Sequence, residues 1–177
     1  LRRRELCLLD IADLRPNQTA IYYLTGTDPA GLAASPHLEG FRARGVEVLL
    51  LSDPVDAFWA SNAVGFDGKP FRSVSQGLAD ISQIPLNEGE TPQEKPELNA
   101  AAASALVAMK EALGDRASDV RASDRLADSA ACLVASENAP DRTLAKILAG
   151  AGRLDAAMRP VLEVNLAHPL VKTLFAL

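Results

Sequence analysis

Aromatic residues and cysteines are both scarce in this chain. Only 5% of the 177 residues are aromatic, and the two cysteines are Cys7 and Cys132. A core must therefore consist mostly of Leu, Val, Ile and Ala, and Ala-rich segments favour helix. Because two cysteines without a Cys-x-x-Cys spacing do not indicate a disulfide framework, we expect a reducing, cytoplasmic environment. Cys132 lies within an apolar run, where an inert buried thiol is expected.

Long apolar runs and an excess of basic residues are also lacking. The longest apolar run, residues 46–51, contains Glu47 and is far shorter than the roughly 20 residues that span a membrane. The net charge of −5 disfavours nucleic-acid binding, which usually requires a basic surface. The cluster Arg2-Arg3-Arg4 is interpreted as a solvated helix face. We therefore expect neither a membrane nor a nucleic acid as partner.

Motifs for nucleotide binding and catalysis are missing as well. Thr25-Gly26-Thr27 follows a predicted strand, but no Gly-x-Gly-x-x-Gly or Gly-Lys-Ser/Thr motif accompanies it. His37 and His168 lie at proline-marked helix starts, without partners at metal-ligand spacing. Asp53 and Asp56 are better explained by helix capping than by acid–base catalysis. We predict no catalytic, cofactor-binding or metal-binding residue in this chain, and hence no enzyme activity of its own.

A β-α-β pattern follows a first helix predicted over residues 1–14. Residues 21–24 form a β-prone run, and residues 46–51 indicate a second, mostly buried strand. Ser35-Pro36 marks a helix start between them, with Ser as N-cap and Pro at the first helical position. Two strands joined through a helix should be parallel. Residues 71–74 are predicted to form a short edge strand.

The composition becomes polar and proline-interrupted between residues 76 and 98, which indicates a linker. We predict an α/β domain over residues 1–75 and an α+β domain over residues 99–177. Further elements are predicted beyond the linker. They are a helix with the stripe Ala102, Leu106, Met109 and Leu113, strands at 119–123, 131–135 and 161–164, an amphipathic helix around residues 144–151, and a last helix from His168-Pro169.

Two apolar features are candidates for a binding surface. Phe58 and Trp59 are adjacent on the helix that begins at Asp53-Pro54, so their side chains diverge by about 100°. Core packing is the favoured interpretation, because large aromatic side chains are usually well buried. Leu144, Ile147 and Leu148 form a helical stripe, with Asp141, Arg142 and Lys146 assigned to the polar side. Such a stripe becomes a binding surface only where it faces an open cleft.

Several separated segments resemble, in consistent order, the ninety-kilodalton heat-shock-protein family of chaperones in its bacterial form. Residues 21–26, 35–39, 45–56 and the segment Phe66-Asp67-Gly68-Lys69-Pro70-Phe71 are similar to the end of its middle domain. Residues 119–121, 124–129, 164–165 and 168–172 are similar to its C-terminal domain. Agreement among several ordered motifs is more specific than any one of them.

The resemblance implies an ATP-driven dimeric clamp that binds partly folded client proteins. ATP and Mg²⁺ would bind an N-terminal domain outside this chain, so the chain itself would hold no cofactor. Client contacts in the family correspond to Phe58 and Ser61, and to Leu144, Ile147 and Leu148. Trp59 is added as a neighbour on chemical grounds.

Three features depart from the family pattern. The stretch before Ile21 is short, which suggests missing segments, and the absence of an initiator Met suggests a fragment. Pro140 and Leu144 stand where methionines are expected, which reduces the adaptable Met-rich surface. The chain stops at Leu177, before the helices that form most of the dimer interface, so homodimerisation is expected of the parent protein rather than of this chain.

Two alternatives from other functional classes remain. The chain could be a non-catalytic α/β interaction or scaffolding module, which predicts no affinity for unfolded polypeptides. It could also be a small-molecule enzyme that uses the strand ends of the β-α-β unit. That third hypothesis requires a polar pocket at Gly26 and Ser52, the carboxyl edge of the parallel strands.

Overall fold

A computed structural model describes residues 14–76, 81–88, 98–136, 139–152 and 159–175. The helix predicted over residues 1–14 lies almost entirely outside these ranges, as do Cys7 and much of the predicted linker. Helices and small sheets alternate along the described chain, which confirms the α/β class. The described residues form two three-stranded sheets, one on each side of the predicted linker. The division into two domains at residues 76–98 stays a prediction.

The first sheet has the strand order β2-β1-β3, and all its strands are parallel. The part of the chain that forms this sheet, called the first sheet region, contains in chain order β1 (Ile21–Thr25), α1 (Pro29–Ala33), a 3-10 turn (Pro36–Leu38), α2 (Glu39–Arg42), β2 (Val48–Leu51), α3 (Pro54–Asn62) and β3 (Phe71–Ser73). The predicted parallel pair and the predicted edge strand are both confirmed. Every residue of the central strand β1 is buried, and Tyr22 packs edge-on against Phe41 at a ring-centroid distance of 4.8 Å.

The second strand is less buried than predicted. Leu50 is 40% exposed, and only Leu51 of the strand is fully buried. The prediction was wrong because β2 is an edge strand, with a hydrogen-bonded neighbour on one side only. It also begins later than predicted, at Val48, because Gly45 turns the chain at φ 61° and the Val46 N–H bonds back to the Phe41 carbonyl.

The start of α3 was predicted correctly. The Asp53 carboxylate accepts a hydrogen bond from the Val55 N–H at 3.0 Å, and the Asp56 carboxylate accepts one from the Asp53 N–H at 3.2 Å. Pro54 occupies the first turn, where its missing N–H has no intrahelical role. This reciprocal capping fixes the position of the helix that carries Phe58 and Trp59.

The second sheet has the order β4-β6-β5, with β4 parallel and β5 antiparallel to the central strand. The part of the chain that forms this sheet, called the second sheet region, contains in chain order α4 (Ala100–Leu113), a 3-10 turn (Gly114–Arg116), β4 (Asp119–Ala122), β5 (Ala131–Val134), α5 (Arg142–Gly150), β6 (Val161–Val164) and α6 (Pro169–Phe175). The predicted helices and strands are all found, but β6 inserts between β4 and β5. The predicted stripe of α4 packs against this sheet around Leu106. Cys132 is buried, as predicted.

The two sheets are joined at residues 75–76 and 135. The Ala135 N–H donates to the Ser75 carbonyl at 2.8 Å, within a parallel bridge between Gln76 and Ala135. Residues 81–88 then pack on the first core, where Ile81 and Ile84 are both buried. The polar composition of the predicted linker did not indicate this packing.

Candidate functional site

The aromatic pair of α3 lies at the surface. Phe58 is 41% exposed and Trp59 is 52% exposed, while Ala57 and Ala60 are buried on the same helix. The core-packing interpretation of the pair was therefore wrong, because the helix turns its small residues inward instead. The Trp59 ring contacts the Phe71 ring edge-on at 5.3 Å, which supports the indole from one side and leaves the rest accessible.

Exposed apolar side chains continue beyond α3. The large apolar residues exposed on α3 and in the segment that follows it are Val55, Phe58, Trp59, Val64 and Phe66. Phe66 pairs with Lys69 through two backbone hydrogen bonds of 2.9 Å, across a turn in which Asp67 and Gly68 have positive φ. Neither Val64 nor Phe66 was predicted as a binding residue, because isolated apolar residues before an Asp-Gly turn carry no periodic signal.

The other predicted stripe lies on α5, and α5 contacts α3. Leu144 is buried, whereas Ile147 and Leu148 are partly exposed. Ser61, at the end of α3, donates to the Ala57 carbonyl at 2.7 Å. The structure thus brings together the two helices that carry all six predicted residues.

Asp141 was predicted to lie on the polar side of α5, and this prediction was wrong. Its side chain is buried, with 3% exposure, and it caps the helix. One carboxylate oxygen, Oδ1, accepts from the Thr143 N–H at 2.9 Å and from the Thr25 hydroxyl. The other, Oδ2, accepts from the Ser73 and Ser75 hydroxyls, each at 2.6 Å. The prediction failed because helix periodicity gives no information on what a capping residue contacts outside its own helix.

Burial alone would raise the pKa of the Asp141 carboxyl. The hydrogen bonds from Ser73, Ser75, Thr25 and Thr143 outweigh that effect and lower the pKa below its usual value. The carboxylate is therefore charged at neutral pH, and its charge is satisfied by hydroxyl and N–H donors.

Glu39, in α2, makes a second anionic contact between the two sheet regions. Its Oε2 accepts hydrogen bonds from the backbone N–H groups of Ala127, Asp128 and Ser129, at 2.7, 2.9 and 3.2 Å. Its Oε1 accepts from the Ser129 hydroxyl. Three successive N–H groups directed at one oxygen form an anion-binding loop, here filled by a side chain of the other region.

A buried ion pair lies behind these contacts. Arg125, 7% exposed, bonds to Glu163 at 2.9 Å and donates to the Val74 carbonyl at 3.2 Å. Arg121 bonds to the other oxygen of Glu163 at 2.8 Å. Burial raises the pKa of Glu163, but the two guanidinium groups dominate and lower it. The Arg125 guanidinium thus connects Glu163, in the central strand β6, with Val74, which follows β3.

A cavity of about 280 Å³ opens at the carboxyl end of β1. Gly26 lines this cavity, as the enzyme hypothesis requires, but Ser52 does not. Arg142 and His37 also line it. Burial, together with the charges of Arg125 and Arg142, lowers the pKa of His37 to about 4. The Ser75 hydroxyl of the cavity wall is held by Asp141. Among the described residues, the Nδ1 atom of His37 is buried without a hydrogen-bond partner, so it is not paired with a hydroxyl of the cavity wall.

The described part of the chain lacks two further features. It contains no group of three or more His, Cys, Asp or Glu side chains arranged to hold a metal ion. It also contains no helix with both the length and the apolar character needed to cross a bilayer.

Comparison with known proteins decides the family. The model of the family described as Hsp90 protein matches residues 6–177. The chain belongs to the Hsp90 family. Among curated Hsp90 relatives, each named chaperone protein HtpG, that of Nitrobacter winogradskyi is 58% identical over 168 residues, which is 94% of this chain and 26% of the relative. That of Azorhizobium caulinodans is also 58% identical, with the same coverage of both chains, and that of Rhizobium meliloti is 52% identical over 93% of this chain and 26% of the relative.

The chain therefore spans about a quarter of the length of these Hsp90 relatives. The ordered motifs quoted from the sequence fall within the matched residues, and the family resemblance is confirmed.

Proposed function

We propose that the chain is the part of an ATP-dependent chaperone that binds partly folded client proteins. The exposed aromatic pair Phe58 and Trp59, on a helix that contacts α5, is the observation that carries this proposal. Exposed aromatic surface offers large contact area to apolar segments that an unfolded chain leaves in water. The names of the relatives, all chaperone proteins, agree with this function.

The proposed client-binding site consists of Phe58, Trp59 and Ser61 of α3 and Leu144, Ile147 and Leu148 of α5. Phe58 and Trp59 make the first contacts, because they are the most exposed of the apolar members. Ile147 and Leu148 extend the apolar surface. Leu144 is buried in this conformation, so its contact with a client requires α5 to shift.

The remaining expectations belong to the whole protein. We propose that it binds ATP and Mg²⁺ outside this chain, forms a homodimer and acts in the cytoplasm. In that arrangement the chain supplies client-binding surface, and ATP hydrolysis elsewhere changes its accessibility.

The test measures the affinity of the full-length protein for a fluorescently labelled, permanently unfolded polypeptide. The Phe58→Ala and Leu148→Ala variants should each weaken binding, by about tenfold for Phe58→Ala, as for a typical aromatic hot spot. Val107→Ala is the matched control, because Val107 is an exposed apolar residue of α4. It should retain the parent affinity.

Equal affinities for the parent, Phe58→Ala and Leu148→Ala would reject the site. Absence of any affinity for unfolded polypeptides in the parent protein would favour the scaffolding alternative instead. Circular dichroism of each variant checks that the fold is retained.

A further inference from the structure

The N-cap residue of α5, Asp141, is fixed by groups that belong to the other sheet region. Asp141 caps α5 by accepting a hydrogen bond from the Thr143 N–H. It accepts three more from the hydroxyl groups of Thr25 in β1, Ser73 in β3 and Ser75. A helix N-cap needs only one side-chain acceptor, and serine serves as well as aspartate. The second oxygen of Asp141 is therefore surplus to capping, and it accepts only from Ser73 and Ser75.

Two neighbouring contacts hold the same end of the helix. The Thr143 hydroxyl donates to the Thr25 carbonyl at 3.0 Å, and the Gln76 side chain donates to the Ala139 carbonyl at 2.8 Å. Asp141 and Thr143 thus attach the first turn of α5 to the end of β1. These contacts are directional, and the hydroxyl bonds to Asp141 are buried, so together they restrict both the distance and the rotation of the helix relative to the sheet.

The same sheet also contacts α3. Tyr23 of β1 packs in one buried cluster with Ala60 of α3 and Leu51 of β2. Burial and the nearby charge of Asp141 raise the pKa of Tyr23 to about 12, so the phenol stays protonated. The first sheet is consequently a common support, with α3 packed against Tyr23 through Ala60 and α5 hydrogen-bonded to Thr25, Ser73 and Ser75 through Asp141.

We infer that Asp141 is a positioning residue of the client-binding site, which holds α5 against β1 and β3 and so sets the spacing between α5 and α3. This inference rests on the proposed function of the two helices. Asp141 itself is buried and does not touch the client. Its loss should leave both apolar faces intact but allow their separation to vary.

The experiment measures that separation directly in the full-length protein. Spin labels on Asn62→Cys and Ala149→Cys report the distance between α3 and α5, because both native side chains are exposed. Cys7, and accessible cysteines of the full-length protein outside this chain, are replaced by serine. Cys132 stays unlabelled because burial raises the pKa of its thiol to about 11.

Two variants separate positioning from capping. Asp141→Ser keeps an acceptor for the Thr143 N–H but cannot reach all three hydroxyls. The double variant Ser73→Ala with Ser75→Ala keeps the cap entirely and removes two of the three donors. Both should broaden the distance distribution between α3 and α5 and weaken client binding by about tenfold, as expected for lost hydrogen bonds to a charged group. Combining them should add little, because both remove the same contact.

The control is Asp53→Ser, at the exposed N-cap of α3. It makes the same chemical change at a cap whose hydrogen bonds among the described residues are with Val55 and Asp56 of the same helix, and it should leave the distance distribution unchanged. An unchanged distribution in Asp141→Ser and in the double variant overturns the inference, even if Phe58→Ala abolishes client binding. A broadened distribution with client binding unaffected by Phe58→Ala rejects the proposed function and leaves the attachment of α5 by Asp141 in place.

Discussion

Gly40 lies directly against the backbone of Arg125. A Cβ atom built on Gly40 would be 2.8 Å from the Arg125 carbonyl oxygen and 3.3 Å from the Arg125 Cα. The Cβ atoms of folded proteins essentially never approach another atom as closely as 2.8 Å. The absence of a side chain at Gly40 therefore allows α2 to approach the loop that follows β4, where Glu39 binds the 127–129 backbone.

The Gly40→Ala variant should be less stable than the parent, by about 1–3 kcal/mol, because the backbone of Arg125 cannot rotate away from the added methyl group. Urea unfolding of the chain, followed by the fluorescence of its single tryptophan, measures the change. Gly150→Ala is the matched control. Gly150 lies in α5 with nothing within 4 Å of the added Cβ, so this substitution should be neutral or stabilising. Equal stability of parent and Gly40→Ala would contradict the close contact.

Acid should weaken the contacts between the two sheet regions. Hydrogen bonds to Glu39, and to Asp141, lower the pKa of each carboxyl despite the opposing effect of burial. A carboxyl with a lowered pKa in the folded state contributes stability above its unfolded pKa, about 4, and that contribution is lost as the pH falls through the folded value. The free energy of unfolding should therefore decline as the pH falls below about 5.

The Glu39→Gln variant tests the part of this decline due to Glu39. Its unfolding free energy should depend less steeply on pH over the acidic range than that of the parent. Glu47→Gln, at an exposed position, should keep the slope of the parent. A Glu39→Gln slope equal to that of the parent would show that the Glu39 contact does not contribute to the pH dependence.

Arg125 and Arg121 should contribute very differently to stability, although both bind Glu163. The side chain of Arg125 is 7% exposed, whereas that of Arg121 is 34% exposed. Arg125→Ala should cost about 3 kcal/mol, because it leaves the buried Glu163 with one guanidinium partner and the Val74 carbonyl without its donor. Arg121→Ala should cost less than about 1 kcal/mol, as for a solvent-screened pair. Similar losses in the two variants would contradict the difference in burial.

Local signals in the sequence predicted most elements of the fold. Asp53-Pro54 and Ser35-Pro36 specified helix starts, and the apolar runs specified β1 and β6, because capping and strand patterns depend on neighbouring residues. The insertion of β6 between β4 and β5 was not predictable in this way. Strand order depends on pairings between distant residues, and a connection such as residues 124–129 is equally compatible with adjacent or separated strands.

The candidate site was only partly predictable for a related reason. Resemblance to the family led to Phe58 and Leu148, while periodicity alone favoured burial of Phe58. Asp141 carries a recognisable N-cap signal, but its partners Thr25 and Ser73 are 116 and 68 residues away. Hydrogen bonds over such separations have no signature in one sequence.

The central claim, that α3 presents client-binding surface, is tested most directly by photo-crosslinking in the full-length protein. A benzophenone amino acid replaces Trp59 in one sample and Val107 in another, and each is irradiated with a labelled unfolded polypeptide. Both native side chains are more than half exposed, so accessibility is matched. The account predicts strong crosslinking at residue 59 and little at residue 107, with competition by an unlabelled client only at residue 59. Equal crosslinking at the two positions would contradict it.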